Sequence, residues 1–349
     1  MKGCMKMKTS FKEATTTDID AAAALLQKGE LVAFPTETVY GLGGDATVSD
    51  SVKKIYEAKG RPSDNPLIVH VAERTQLDAF VTDVSDEAQR LMDAFWPGPL
   101  TILLPVKEGA LAPEVTAGLS TVAVRIPSHP VALAILKAAD LPIAAPSANT
   151  SGKPSPTKAS HVKEDLAGRI ACIIDGGTTG VGVESTVLDC SGSQPVILRP
   201  GGVTKEALEN VVGPVLTDVA LKQTTAAPKA PGMKYTHYAP VAPAYLVDGT
   251  TDYFQACIRL FQLEGEVVGV LATTETLADL DADVKVSCGT QSDLASIAAE
   301  LYDGLRTFNH HEEVTVILAE TYAEAGIGQA IMNRLEKAAG HRYLRATDR

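Results

Sequence analysis

The stretch IACIIDGGTTGVGVESTVLDCSGSQPVILRP, residues 170–200, decides the architecture of the first two-thirds of the chain. Three β-branched, apolar runs follow one another in it: IACIID (170–175), STVLDC (185–190) and PVILRP (195–200). Short segments rich in Gly, Ser and Thr separate them, and the helical periodicity nearest to them lies outside, at 157–167 and 204–212. Working outward, LVAFP (31–35), PLIVHV (66–71), LTILLPV (100–106), TVAVRIP (121–127) and PIAAPS (142–147) read as further strands. Helical spacing recurs at 18–28, 50–59, 86–95 and 130–139, with Asp18, Ser49 and Thr204 as expected caps. Strands outnumber helices, so the expected fold is a twisted, mixed α/β sheet rather than a regular doubly wound one.

The pattern changes further on. Residues 214–242 carry little periodicity and several prolines and read as an extended linker. Within it, APGMKYTHYAP concentrates two tyrosines, a histidine and a lysine, which suits either domain packing or ligand contact. From 243 to 349, strands and helices alternate strictly: AYLVD, a helix over 251–264, VVGVLA, a short helix near 275, VKVSC, a helix over 292–308, VTVILAE and a helix over 326–339. That alternation predicts a small parallel, Rossmann-like α/β domain. Its last helix opens with GIG, which could hold an anion, but one GxG is weak and packing is the favoured reading.

Composition narrows the functional classes. A chain of 349 residues, 45% of them hydrophobic, can build about two domains with real cores. The formal net charge of -12 disfavours a long nucleic-acid groove, while a local cluster of cations can still hold a small anion. The five cysteines are scattered without a CxxC pair, which excludes a zinc framework and suits a reducing compartment. The N-terminal MKGCMKMKTSF lacks a signal peptide's apolar stretch, and no run of ~18 apolar residues exists. A cytoplasmic protein without a membrane span is therefore expected. GxxxxGK[ST], GxSxG and HExxH are all missing.

Five segments place polar groups at strand ends, where ligands of α/β sheets sit. FPTETVYGLGGDA (34–46) follows a strand with two hydroxyls (Thr36 and Thr38), a carboxylate and a phenol before a Gly-rich turn. The hydroxyls serve either a small polar ligand or the turn itself. YEAKGRPSDNPLIVHV (56–71) sets Lys59 and Arg61 on one short, proline-stiffened segment, a pairing that suits polyphosphate but also suits a helix C-terminus. His70 lies within its apolar strand, where a structural histidine is the default. Arg125, the one charge of TVAVRIP, must be paired or face a cleft. PIAAPSANTSGKPSPT (142–157) breaks at Pro146 into hydroxyls and amides, and GVGVESTVLD with VILRPGG adds Ser185, Thr186 and Arg199. The residues alone reach a phosphate-friendly cleft without a hydrolytic triad or a metal cage.

In order, PTETVYGLG, KGRPSDNPL, FWPGPLT, TVAVRIP, APSAN, SGKPSPT, GVEST and LRPG resemble the threonylcarbamoyl-AMP synthase (YrdC-like) family over roughly residues 15–213. The linker and trailing domain resemble its long, two-domain form, with Ala230 standing where that pattern has Ser. The resemblance implies a catalytic domain over 15–213 with an open cavity, a linker over 214–242 folded back on it, and a C-terminal domain over 243–349. It implies synthesis of threonylcarbamoyl-AMP from L-threonine, bicarbonate and ATP with Mg²⁺, for the t6A modification of tRNA at position 37. Lys59 and Arg61 would be catalytic and meet ATP together with Ser147, Asn149, Ser155, Arg199 and Tyr235. Thr36, His70, Thr121, Arg125 and Ser185 would surround threonine. The product would pass to a tRNA threonylcarbamoyl-transferase complex, with no stable nucleic-acid binding and no protein-held metal. The competing reading is an RNA-binding regulator using the same cleft; steeply salt-dependent tRNA binding would favour it.

Overall fold

The computed structural model describes residues 8–192, 194–218 and 238–346. The chain divides into two compact units: Met1–Ser151 with Pro156–Gly180 and Glu184–Lys234, and Gly152–Ser155 with Val181–Val183 and Tyr235–Arg349.

The first unit is built on one 11-stranded sheet. Its strands are β1 (Ser10–Glu13), β2 (Val32–Pro35), β3 (Tyr40–Asp45), β4 (Ile68–His70), β5 (Leu100–Pro105), β6 (Thr121–Arg125), β7 (Ile143–Ala144), β8 (Cys172–Asp175), β9 (Thr186–Asp189), β10 (Val196–Arg199) and β11 (Leu216–Thr217). They lie in the order β1-β8-β2-β3-β7-β4-β6-β5-β9-β10-β11. Parallel pairs such as β4–β6 and β5–β9 alternate with antiparallel ones such as β2–β3 and β5–β6, so the sheet is mixed, as expected. The three runs of the 170–200 stretch do not stay together. β8 pairs with β1 and β2 near one edge, whereas β9 lies between β5 and β10 near the other.

Alternation along the strands gives the sheet two apolar faces. Along β2, Ala33 joins a core with Leu42, Ile55, Val69 and Val124, while Val32 and Phe34 join a second with Leu26, Ile135 and Ile174. Six expected helices are present, at Thr16–Gln27, Ser49–Lys59, Asp86–Phe95, Pro130–Ala139, Ala159–Leu166 and Lys205–Val212. Thr204 caps its helix as expected. The other two caps differ. Thr15 rather than Asp18 caps the first helix, its hydroxyl accepting from the Asp18 N–H. Val48 precedes the second without a side-chain bond, and the Ser49 hydroxyl is drawn to Glu114 Oε1 at 2.7 Å.

A larger departure is YGLGGD. Expected as a turn, it is β3, buried throughout and antiparallel to β2. Glycine here answers to packing rather than to turning. A Cβ on Gly43 would stand 2.6 Å from the Phe34 ring, and one on Gly44 2.9 Å from Ser51 Oγ.

The second unit carries β12 (Ala244–Asp248), β13 (Val268–Ala272), β14 (Val284–Ser287), β15 (Val316–Glu320) and β16 (Tyr343–Arg345) in the order β14-β13-β15-β12-β16. Every pairing is parallel, as the alternation predicts; only β16 escaped the pattern. The helix opened by GIG runs Gly328–Ala338, and a Cβ on Gly328 would lie 1.9 Å from Ala323 O. That close approach supports the packing reading. The unit also takes in the 152–155 loop: Arg306, buried on the helix Leu294–Thr307, donates from Nε and Nη2 to Pro154 O at 3.1 and 2.6 Å. Of the expected linker, Leu216–Thr217 forms β11, whereas 219–237, Tyr235 included, lie outside the described residues. Among the described residues no helix is long and apolar enough to cross a membrane.

Candidate functional site

Three polar groups gather at strand ends and loops of the first unit. The first centres on Arg125, the last residue of β6. In the parallel register His70, the last residue of β4, lies opposite it. Arg125 is buried, and its fork reaches three oxygens on two segments. Nε donates to Gly98 O at 3.1 Å, Nη1 to Thr38 Oγ1 at 2.9 Å, and Nη2 lies 2.6 Å from Glu37 Oε1. The expectation that this charge needs partners is met.

The turn that presents Glu37 is tied internally. Thr36 Oγ1 donates to Val39 O at 2.6 Å, accepts from the N–H groups of Thr38 and Val39, and lies 2.8 Å from Thr38 Oγ1. Both hydroxyls bond within the turn, and Thr38 Oγ1 also accepts from Arg125 Nη1. Burial raises the Glu37 pKa, but the Arg125 guanidinium and backbone N–H groups outweigh it, and the carboxyl stays below its usual range. Burial, helped by the Arg125 cation, pushes His70 down to about 3, so the ring is neutral near pH 7. Its Nδ1 is buried without a hydrogen-bond partner.

The second group joins the helix Ser49–Lys59 to the segment after β7. Lys59, at the helix end, is buried; Nζ donates to Ser147 O, to Asn149 O at 2.8 Å and to Asn149 Oδ1 at 3.3 Å. Ser147 Oγ donates to the same Asn149 oxygen at 2.5 Å. Ala148 N–H donates to Tyr40 O at 2.8 Å, which links this segment to the strand that follows the Thr36–Thr38 turn. Arg61 lies two residues beyond Lys59, its N–H donating to Tyr56 O at 3.0 Å. Burial pushes the Tyr56 phenol up to about 12 in spite of the Arg61 charge.

The third group joins β5, β9 and β10. Ser185 Oγ lies 2.8 Å from Thr101 Oγ1, and Arg199 donates from Nε and Nη2 to Ser185 O at 3.2 and 2.9 Å. The segment before β5 connects this group to the first: Gly98 O accepts from Arg125, and Pro99 O accepts from the Thr186 N–H at 3.0 Å.

Lys59, Ser147 and Asn149 thus come together, as do Ser185 with Arg199, and Thr36 and His70 with Arg125. Thr121 does not join the Arg125 group. It opens β6 four residues earlier, roughly 13 Å along the strand. Ser155 is buried and belongs to the second unit. The residue reading left out Glu37 and Thr101. The one sits inside PTETVYGLG and the other inside FWPGPLT, but only their partners, distant in sequence, reveal them.

Comparison with known proteins adds the lineage. A family model described as telomere recombination, of the Sua5/YciO/YrdC group, matches residues 24–201. The chain belongs to the Sua5/YciO/YrdC family. A second model, threonylcarbamoyl-AMP synthase C-terminal domain, matches residues 203–340, so this family member carries the long form's second domain. A threonylcarbamoyl-AMP synthase of Bacillus subtilis (strain 168) is 55% identical over 347 residues, covering 98% of this chain and 100% of its own. One of Pyrococcus abyssi (strain GE5 / Orsay) is 48% identical over 333 residues, covering 94% and 95%. The crystal structure of P. abyssi Sua5 complexed with L-threonine superposes with a TM-score of 0.92 at 46% identity, over 97% of this chain and 100% of that one. The Sua5-like fold accordingly extends along nearly the whole chain.

Proposed function

We propose that this chain is a threonylcarbamoyl-AMP synthase, converting L-threonine, bicarbonate and ATP to threonylcarbamoyl-AMP, pyrophosphate and water. The observation that carries this reading is the end-to-end similarity, at a TM-score of 0.92, to a Sua5 protein solved with L-threonine. The threonine amine and bicarbonate form N-carboxy-threonine with loss of water. A carboxylate oxygen of that carbamate attacks the α-phosphorus, the bond from the α-phosphorus to the bridging oxygen breaks, and pyrophosphate leaves.

In this reading Arg125 receives the threonine carboxylate, and Thr36, His70 and Ser185 line the same substrate. Lys59 and Arg61 hold the polyphosphate, with Arg199, Ser147 and Asn149 completing the nucleotide contacts. Such adenylyl transfer is mainly positioning and charge stabilisation, which preorganised cations supply without a covalent protein nucleophile. Magnesium enters with the nucleotide as MgATP, in keeping with its preference for phosphate oxygens and water. The product passes, in the cytoplasm, to a transferase complex that modifies tRNA. Incubation with α-labelled ATP, bicarbonate and each amino acid in turn tests the assignment. Adenylate and pyrophosphate should form with threonine; equal yields in its absence would refute the reading.

A further inference from the structure

Arg125 is the centre of charge in its group, and its three oxygen partners are not equivalent. Gly98 O and Thr38 Oγ1 accept aligned hydrogen bonds. Glu37 Oε1 lies 2.6 Å from Nη2, and both oxygens of Glu37 and that Nη2 are buried. The Arg125 charge, with hydrogen bonds from Arg125 and from the Glu37 and Ser128 backbone, keeps the carboxyl ionised, and two carboxylate oxygens offer about four lone-pair sites, more than those donors fill. His70 Nδ1, buried on the neighbouring strand end, has no hydrogen-bond partner. Two carboxylate oxygens beside a neutral ring nitrogen would be an odd wall for an anion alone. They suit a group that brings several N–H donors.

The turn that carries Glu37 does not leave its direction to chance. Thr36 Oγ1 accepts from two backbone N–H groups and donates to Val39 O, so the carboxylate is presented from a closed, internally bonded turn. A free α-amino acid carries its carboxylate and its ammonium on one carbon. A cation and an anion side by side form the complement of that pair.

We propose that Glu37 is the ammonium-recognition residue of the amino-acid pocket: it receives the α-ammonium while Arg125 receives the α-carboxylate, so that the pair selects a zwitterion over a plain acid. The inference rests on the threonine reading given above and adds a residue to it. A carboxylate that served only to neutralise Arg125 would affect stability, and would weaken every anionic ligand in the same sense.

The test is calorimetric titration of the full chain with L-threonine and with 3-hydroxybutanoate, which is threonine without its amine. The native protein should prefer threonine. In Glu37→Gln, threonine affinity should fall roughly 10- to 100-fold, the range for a hydrogen bond to a charged group, and the preference should vanish. Retention of the preference, or an equal loss for both ligands, would overturn the proposal. Should Glu37→Gln not fold, Glu37→Gln with Arg125→Gln removes both charges together and leaves neither buried alone. A surviving preference for threonine in that variant would sink the idea, and its disappearance would support it. A native protein that binds neither ligand refutes the threonine reading instead.

Discussion

The strand ends of the two sheets carry opposite charge. In the first unit, β4 and β6 end in His70 and Arg125, and the cation holds three oxygens from two distant segments. In the second, β13 and β15 lie side by side while their onward connections run in opposite directions, the place where open α/β sheets take ligands. There β15 ends in an anion. Glu320 Oε2 accepts from Thr273 N at 2.7 Å and Thr273 Oγ1 at 3.0 Å, and Oε1 accepts from Thr276 Oγ1 at 2.7 Å. Tyr322, whose pKa burial raises, lies against both Glu320 and Cys288. The N–H and hydroxyl donors of Thr273 and the hydroxyl of Thr276 are thus committed to the protein's own carboxylate. Topology marks where a ligand can bind; the charge at the strand end decides whether one is invited.

Four measurements can break or sharpen that contrast. Removing the cation should have the largest effect. Arg125→Met leaves Glu37 as a buried, uncompensated carboxylate, and breaking such a pair costs about 3–5 kcal/mol, to be read from the shift of the urea midpoint. A midpoint near the native one would mean that the pair carries no weight in the fold.

Next comes Lys59→Met. If the lysine stabilises charge developing on the phosphates, kcat/KM for adenylate formation should drop by roughly 2–4 kcal/mol, a factor of roughly 30–1000. Unchanged kinetics would reduce Lys59 to a brace for the 147–149 loop.

Glu320→Gln tests the closed strand end. It exchanges a charged acceptor for one that also brings two donors, so stability should fall by about 1–3 kcal/mol while kcat stays within about twofold. A large loss of turnover would show that the second sheet takes part in chemistry.

The smallest effect concerns pH. His70 titrates near 3 in the fold against an ordinary 6.5, so the unfolded chain binds the extra proton first. Its share of stability is complete above pH 6.5 and is lost as pH falls from there towards 3. The neighbouring charges are Arg125, which opposes protonation, and Glu37, which favours it. His70→Asn should therefore flatten the acid limb of the unfolding curve within that window, and an unaltered limb would contradict the assignment.

Much of this was legible in the residues. LTILLPV, TVAVRIP and PVILRP became β5, β6 and β10 because β-branched runs between turn residues suit a buried strand irrespective of their neighbours. Strict alternation after 243 was enough to predict the parallel second sheet. YGLGGD misled because glycine as turn residue and glycine as clearance for a ring look identical until Phe34 and Ser51 are in place. Asp18 and Ser49 missed as caps because capping depends on geometry over one or two residues.

By itself, then, the sequence determined the local elements, the parallel character of the second sheet and the need for Arg125 to find company. Family blocks in it pointed to the chemistry. Only the tertiary structure decided which company. Glu37 and Arg125 are 88 positions apart, Thr101 and Ser185 are 84 apart, and Lys59 is 90 from Asn149. Strand and helix formation depend on neighbours along the chain. The partner of a buried charge is whatever the folded sheet brings within 3 Å, and no local pattern encodes that distance.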